Sequence, residues 1–409
     1  MRSDSAASAR VSFERTEEPK LPCPNCGSEG LSVFYGVQDI PVHSCLLVPT
    51  HDEAVGFPTG DLRLGFCRSC GFVTNTHFDP DVHRYSARYE ETQGFSPRFN
   101  AFAESLAESL IERYGVRGKT VLEIGCGKGE FLVTLCGLGN NRGIGIDPGY
   151  VPERTPGEAA SSVTFIQDFY SENYAHLKAD FIVCRHTLEH IAPTRQFLQT
   201  IRGAIGDRRD TLVFLEVPDM LRVLREGAFW DVYYEHCSYF SPGSLARLFR
   251  STGFDVIQLD LDFDGQYILL TARPSAGGNP EHLPLEDDLE QLSRAVDGFE
   301  AACSAVLDRW RLYVAASSLA GGRVVLWGSG SKGVAFLTTL GLLNQVEYVV
   351  DINPYRQGKF MPGTGQEIVP PDFLSSYKPD RVIAMNPIYR DEIRRKLDGL
   401  GIAPELVAV

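Results

Sequence analysis

Three clusters of side chains have the types and spacing for chemistry. Cys23-x-x-Cys26 and Cys67-x-x-Cys70 form two knuckles, each followed by a glycine, Gly27 and Gly71. Two such loops direct four thiolates at one tetrahedral Zn2+, and a site closed by four thiolates keeps no open position, so this metal is structural. The segment between the pairs exceeds the usual spacing of roughly 15–20 residues and has room for a folded hairpin. His43 and Cys45 lie within it as spares beside a complete quartet. The second cluster is Phe229-Trp230-Asp231-Val232-Tyr233-Tyr234-Glu235-His236. His236 carries the side chain suited to proton transfer near neutral pH, and Glu235 is placed to orient the imidazole or share its proton. The third is Gly328-x-Gly330-x-x-Gly333 with Lys332 inside the loop and Asp351 beyond it. Read alone it is a dinucleotide fingerprint. Lys332 at a helix N-terminus also suits a substrate diphosphate.

A glycine loop of different spacing lies mid-chain, Val121-Leu-Glu123-Ile-Gly125-Cys-Gly127-Lys-Gly129. Its G-x-G-x-G pattern, with an acid two places before the first glycine, is not the pyrophosphate fingerprint. It suits a ligand with positive charge, such as the sulfonium and amino groups of S-adenosylmethionine. Gly143-Ile-Gly145-Ile-Asp147 ends a second strand in an acid placed for ribose hydroxyls. Asp168-Phe169 follows a third strand, where an acid and an aromatic ring can hold adenine. Arg185-His186 follows a fourth, with His190 opening the next segment, where a capping or packing role is the plainer reading. These four stations in order resemble the class I S-adenosylmethionine methyltransferases.

The elements that must carry these residues read as alternating strands and helices. Strands are expected at residues 120–124, 142–146, 163–167, 181–184, 212–216, 256–261 and 267–271, and helices at 100–114, 131–137, 194–205 and 241–251. Such alternation argues for a parallel α/β sheet covered on both faces. The organisation that follows is a disordered tail over 1–20, a zinc-binding domain over 21–78 and a methyltransferase domain over 79–273. A linker and connecting helix fill 274–321, and a second Rossmann-like α/β unit occupies 322–409, with few strands after Asp351. The connecting helix buries a stripe through Leu289, Leu292, Val296, Phe299, Ala302, Val306, Trp310 and Val314.

Composition limits the partners. Of 409 residues, 39 are Lys or Arg and 53 are Asp or Glu, a net charge of -14. Nucleic acid binding rests on basic surface, so a polynucleotide substrate is disfavoured. No apolar run reaches the roughly 18 residues of a membrane span. The polar N-terminus lacks a signal peptide's apolar centre, which points to the cytoplasm, where the ten cysteines stay reduced.

From Leu21 onward the chain resembles the sugar C-methyltransferases of deoxysugar biosynthesis. Tyr233-Tyr234-Glu235-His236 matches that family's Tyr-x-Glu-His hallmark. Trp327-Gly328-Ser-Gly330-Ser-Lys332-Gly333, Asp351-Ile-Asn353-Pro354 and Gly358-Lys359 resemble its C-terminal motif. The resemblance implies a nucleotide-linked 4-keto deoxysugar as substrate, deprotonated next to the ketone before methyl transfer. It implies His236 as base, Glu235 as its partner and Tyr233 near the keto oxygen. It places the substrate against Gly330, Lys332 and Asp351, and against Tyr85 or Tyr89, whose spacing departs from the family's Tyr-x-Tyr-x-Ser. The stretch from Pro41 to Arg63, with His43-Ser-Cys-Leu-Leu-Val-Pro49, also departs from the usual members. The alternatives are O- or N-methylation of another small molecule, and an NAD-dependent sugar-nucleotide enzyme built on the C-terminal loop.

Overall fold

The computed structural model describes residues 9–82, 88–155, 161–277 and 281–409. Three sheets organise it. The first contains β1 (Arg10–Ser12), β2 (Thr16–Pro22), β3 (Glu29–Pro41), β4 (Thr59–Phe66) and β5 (Val73–Asn75). The β3–β4 hairpin fills the long gap between the two cysteine pairs, with Ser32 opposite Phe66 and Pro41 opposite Thr59. The tail expected to be disordered is not so throughout. β1 and β2 both pair antiparallel with β3, because a central strand offers free backbone groups on both edges. Residues 1–8 lie outside the described residues.

The second sheet contains β6 (Thr120–Ile124), β7 (Arg142–Ile146), β8 (Val163–Ile166), β9 (Phe181–Arg185), β10 (Leu212–Pro218), β12 (Phe254–Asp262) and β13 (Tyr267–Pro274). Its order is β12-β13-β10-β9-β6-β7-β8, parallel except for the closing β12–β13 pair. The order reverses between β6 and β9, and in open α/β sheets ligands bind in the crevice at such a switch point. The helix over the front face starts earlier than expected, at Pro97 rather than Asn100. Ser96 caps it by accepting from the Phe99 amide, and Pro97 takes the first turn, where no amide donor is needed.

The third sheet is wholly parallel: β14 (Val324–Trp327), β15 (Tyr348–Val350), β16 (Glu367–Val369), β17 (Arg381–Ala384) and β18 (Glu405–Ala408), in the order β16-β15-β14-β17-β18. Three strands follow Asp351, so this unit is a fuller Rossmann-like sheet than expected. β16 and β18 have only three and four residues, too short to show a period.

One buried apolar cluster runs from the first sheet through the long helix into the C-terminal unit, and a second joins the cysteine pairs to the central sheet. The helix Leu289–Leu319 buries Leu292, Val296, Phe299, Cys303, Leu307, Trp310 and Val314. The expected stripe is therefore displaced at Ala302 and Val306. The helix contacts different neighbours along its length, so its buried face follows them. Phe299 meets Phe34 and Tyr35 of β3 edge to face, and Trp310 meets Phe336 of the C-terminal unit. Between them the helix crosses Gly227, which ends the helix Met220–Glu226 at a φ of +62°. β11 (Ser238–Tyr239), from the segment holding His236, pairs antiparallel with β5 and so belongs to the first sheet. The boundary at residue 78 divides the sequence but not the packing. No helix among the described residues is long and apolar enough to cross a membrane.

A Cβ on Gly227 would lie 2.7 Å from the Ala302 backbone, with no flexible side chain able to yield. Gly227→Ala is expected to cost about 2 kcal/mol or more, from the left-handed conformation together with the clash. A lowered thermal unfolding midpoint with cysteine ligation intact checks this.

Candidate active site

A cavity of about 1290 Å³ opens at the C-terminal ends of β6 and β9 and is lined by residues from all three sheets' units. Its floor is the glycine loop after β6. Gly125, Gly127 and Gly129 all have positive φ, a region open to glycine at little cost. At Gly125 a Cβ would lie 2.0 Å from Thr187 Oγ1, and at Gly129 2.5 Å from the Phe165 ring, which stacks on Tyr150. The loop thus packs as a bare backbone against β8 and the turn after β9.

Electrostatics on this floor favour a cationic ligand. Glu123 is buried, and its Oε2 meets no hydrogen-bond donor among the described residues. Burial pushes its carboxyl up to about 8, although Arg185 pulls the other way. Asp147 accepts from the Gly127 amide at 2.9 Å and the Gly149 amide at 2.7 Å, which fixes it at the end of β7. Arg185 forks onto Glu216 at 2.7 and 3.2 Å and lies over the Phe131 ring. His186 Nε2 sits 2.7 Å from Glu216 Oε1 as an ion pair, outside hydrogen-bond direction. Burial opposes its charge, but Glu216 and Glu189 outweigh that and push His186 up to about 9. Arg185 and His186 therefore spend their charge on Glu216. Asp168 accepts from the Tyr174 hydroxyl at 2.5 Å, and Phe169 stands at the cavity rim, 58% exposed. An ammonium or sulfonium near Glu123, with ribose hydroxyls near Asp147, fits this donor set; S-adenosylmethionine carries both.

The second wall is the segment after β10. Tyr234 points away from the cavity: its hydroxyl accepts from the Asp79 amide at 2.9 Å, and its ring covers Gly60. Tyr233 and His236 face the cavity with ring centroids 4.2 Å apart, and His190 stands 4.8 Å from His236. Burial pushes the Tyr233 phenol well above its usual value, so it stays a proton donor at neutral pH. Glu235 is fully buried and turns toward the first sheet. His43 Nδ1 donates to its Oε1 at 3.0 Å, as does the Ser44 amide at 2.9 Å; the Ser44 hydroxyl and the Tyr89 hydroxyl donate to Oε2 at 3.0 and 3.2 Å. The Glu235 carbonyl accepts from His190 Nδ1 at 3.1 Å. His43, set aside as a spare cysteine-domain residue, is thus a direct partner of the expected catalytic glutamate. It lies 192 positions away in sequence, and no local pattern connects them. Of the two tyrosines implied for the substrate, Tyr89 reaches the site, and Tyr85 lies outside the described residues.

The C-terminal unit supplies the third wall through Gly330, Lys332 and Asp351. Lys332 Nζ is paired with Asp231, which also takes Arg222 at 2.6 Å. Asp351 accepts from the Ser329 amide at 2.9 Å, the Ser329 hydroxyl at 2.5 Å and the Asn353 amide at 2.8 Å. Both its oxygens brace the loop, as those of Asp147 brace the turn after β7. The strand-like strap before Pro97 joins the walls. Lys128 donates to the Tyr89 carbonyl at 2.8 Å, Glu90 takes Arg154 at 2.7 Å and Asn353 at 2.9 Å, and Tyr389 donates to Gln93 at 2.7 Å.

Beneath the site the cysteine quartet converges. Cys23 and Cys70 sulfurs are 3.7 Å apart and those of Cys26 and Cys67 3.6 Å. Four thiolates about 2.3 Å from one tetrahedral Zn2+ stand about 3.8 Å from each other, so the set fits that ion. The knuckles are equivalent: the Gly27 amide donates to the Cys23 carbonyl and the Gly71 amide to that of Cys67, each at 2.8 Å.

Two outcomes follow. A ligand ammonium needs Glu123 ionised, whereas at pH 7 the free carboxyl, with a pKa of about 8, is mostly protonated. S-adenosylmethionine binding is expected to release close to one proton at pH 7 and to tighten as pH rises toward 8. Titration calorimetry in buffers of different ionisation enthalpy reads this, and Glu123→Gln should remove the release. His43→Ala takes one of four donors from a buried carboxylate, costing about 1.5–3 kcal/mol. It is expected to lower kcat roughly tenfold or more while leaving cofactor affinity unchanged; equal loss of both would place His43 in general stability instead.

Comparison with known proteins agrees with this arrangement. Residues 98–259 match the family described as a methyltransferase domain, and residues 286–402 match the C-methyltransferase C-terminal domain. The chain is 27% identical over 388 residues to the C-methyltransferase NovU of Streptomyces niveus, covering 91% of this chain and 90% of that protein. Among solved structures, the 1,6-didemethyltoxoflavin-N1-methyltransferase of Burkholderia thailandensis is 19% identical, with 44% of this chain and 82% of that chain covered and a TM-score of 0.35. The magnesium protoporphyrin IX methyltransferase of Synechocystis PCC 6803 is 20% identical, with 44% and 84% covered and a TM-score of 0.32. A methyltransferase domain and a C-methyltransferase C-terminal domain stand in succession, and the chain is similar to a C-methyltransferase along nearly its whole length; it is an S-adenosylmethionine-dependent methyltransferase.

Proposed function

We propose that the protein transfers a methyl group from S-adenosylmethionine to the carbon next to the ketone of a nucleotide-linked 4-keto deoxysugar. The observation carrying this reading is the single cavity that joins the glycine loop with its buried Glu123 to the Tyr233–His236 pair and the C-terminal loop at Lys332. S-adenosylmethionine, when bound, supplies an electrophilic methyl group. Glu123 and Asp147 hold the donor's cationic and ribose groups, and the bare glycine backbone admits it closely. His236 takes the proton from the acceptor carbon, and the electron pair left behind delocalises onto the keto oxygen. Tyr233, kept protonated by burial, donates a hydrogen bond to that oxygen, where stabilisation of developing charge lowers the barrier most. The bound donor would supply its methyl group to that carbon, its sulfur keeping the bonding pair. Glu235 positions the segment through its donors from the first sheet, and Tyr89 joins it there.

The C-terminal unit is read as the holder of the substrate's nucleotide. Lys332 and Gly330 border the cavity at a helix N-terminus, a favourable place for a diphosphate. The Lys332–Asp231 pair must then open or share its charge. An NAD-dependent reaction on this loop has less support, because residues 286–402 match a C-methyltransferase C-terminal domain. O- or N-methylation of another small molecule differs only in which acceptor atom receives the label.

Mass spectrometry of nucleoside diphosphate 4-keto deoxysugars incubated with methyl-labelled S-adenosylmethionine tests the reading. Label is expected on a ring carbon; label on oxygen or nitrogen, or none across these acceptors, would reject it. His236→Asn is expected to reduce transfer by at least a thousandfold, of the order of general-base loss, with donor binding retained. Transfer at the wild-type rate would remove His236 from the reaction.

A further inference from the structure

Glu189, His190 and His236 bring one donor atom each to within 4.8 Å of one another in the wall of the reaction cavity. The three come from two segments, the turn after β9 and the segment before β11. Glu189 is 2% exposed, and its Oε2 meets no hydrogen-bond donor among the described residues. A buried carboxylate oxygen without a donor is costly unless something positive completes it. His186, the nearest cation, stands off the other oxygen at 3.5 Å. Nδ1 of His190 donates to the Glu235 carbonyl at 3.1 Å, which fixes the ring's orientation beside Glu189. Metal-binding histidines generally anchor their second nitrogen in this way. The rings of His190 and His236 stand nearly perpendicular, at 83°, with centroids 4.8 Å apart.

We infer that Glu189, His190 and His236 form a second metal site, for a divalent transition ion such as Zn2+ or Co2+, whose occupation shuts the reaction off. Two imidazoles and one carboxylate select ions of this class over Ca2+ or Mg2+, which prefer oxygen ligands. The site is chemically distinct from the cysteine quartet, which offers only sulfur. Its inhibitory character rests on the proposed role of His236: an ion held on this imidazole withdraws the basicity that taking the substrate proton requires. The site itself stands without that role.

The test counts ions on the full chain. After dialysis against excess Zn2+, elemental analysis is expected to give two ions per wild-type chain, and one in Glu189→Gln and in His190→Asn. With Co2+, the intense thiolate charge-transfer bands of the quartet should persist in both variants, showing that the fold and first site survive. The weaker bands of a nitrogen–oxygen site should vanish in both. One ion per wild-type chain, or two in both variants, overturns the site. Methyl transfer by the wild type is expected to fall at least tenfold as the second ion fills. Full turnover with two ions bound overturns the inhibition, and the ion count is unaffected if the acceptor proves to be a different molecule.

Discussion

A carboxylate cannot be buried without donors, and the placement of Glu235 follows from that rule. Its side chain is wholly inside, between a segment of the methyltransferase unit and the loop after β3. Its charge is met there by His43, both groups of Ser44 and Tyr89. The same segment adds β11 to the first sheet, so backbone pairing and charge pairing hold it from the same side. Removing either would loosen the turn that presents Tyr233 and His236. The cysteine-bearing region is thus part of the framework of the cavity, and the ion its thiols suit would stiffen the sheet on which this turn hangs.

On the opposite wall the balance of charge is uneven: cations are used up within the protein, while one carboxyl group keeps an oxygen without a donor among the described residues. Arg185 and His186 both neutralise Glu216, which holds that carboxyl down at about 2 despite burial. Glu123, a strand away, keeps an oxygen without a donor and a raised pKa. A low-dielectric pocket with a spare carboxylate rewards a cationic ligand more than a solvated site would. The bare glycine turns then set how closely that ligand's backbone-facing side can approach.

The long helix explains why three units share one cavity. Its buried face meets β3, Gly227 and Phe336 in turn, so the relative placement of the units is fixed by packing rather than by the linker. Salt links reinforce its start, where Arg250 holds Glu286 at 2.6 Å and Arg247 holds Asp288 at 2.8 Å. The strap from Tyr89 to Ser96 adds polar contacts across the cavity mouth, with Ser96 reaching Glu392 at 2.8 Å.

Local pattern determined much of this protein from sequence alone. The knuckles, the glycine loop, the acids at strand ends and the alternation of strands and helices in the central unit are properties of short segments, where spacing dictates geometry. The buried stripe of the long helix was legible at Leu292, Val296, Phe299, Trp310 and Val314 and shifts between them from Ala302 and Val306 to Cys303 and Leu307, because a helix facing several partners follows their surfaces rather than one period. Strands β16 and β18 were too short to show alternation, and β1 and β2 gain their structure only by pairing with β3. The chemistry between distant segments was decided by tertiary structure. Nothing near His43 or Glu189 marks them as neighbours of Glu235 or His236, and Lys332 meets Asp231 only after two units dock. Spacing along the chain reports what a few consecutive residues can do; which buried charge finds which partner depends on the closure of the whole core.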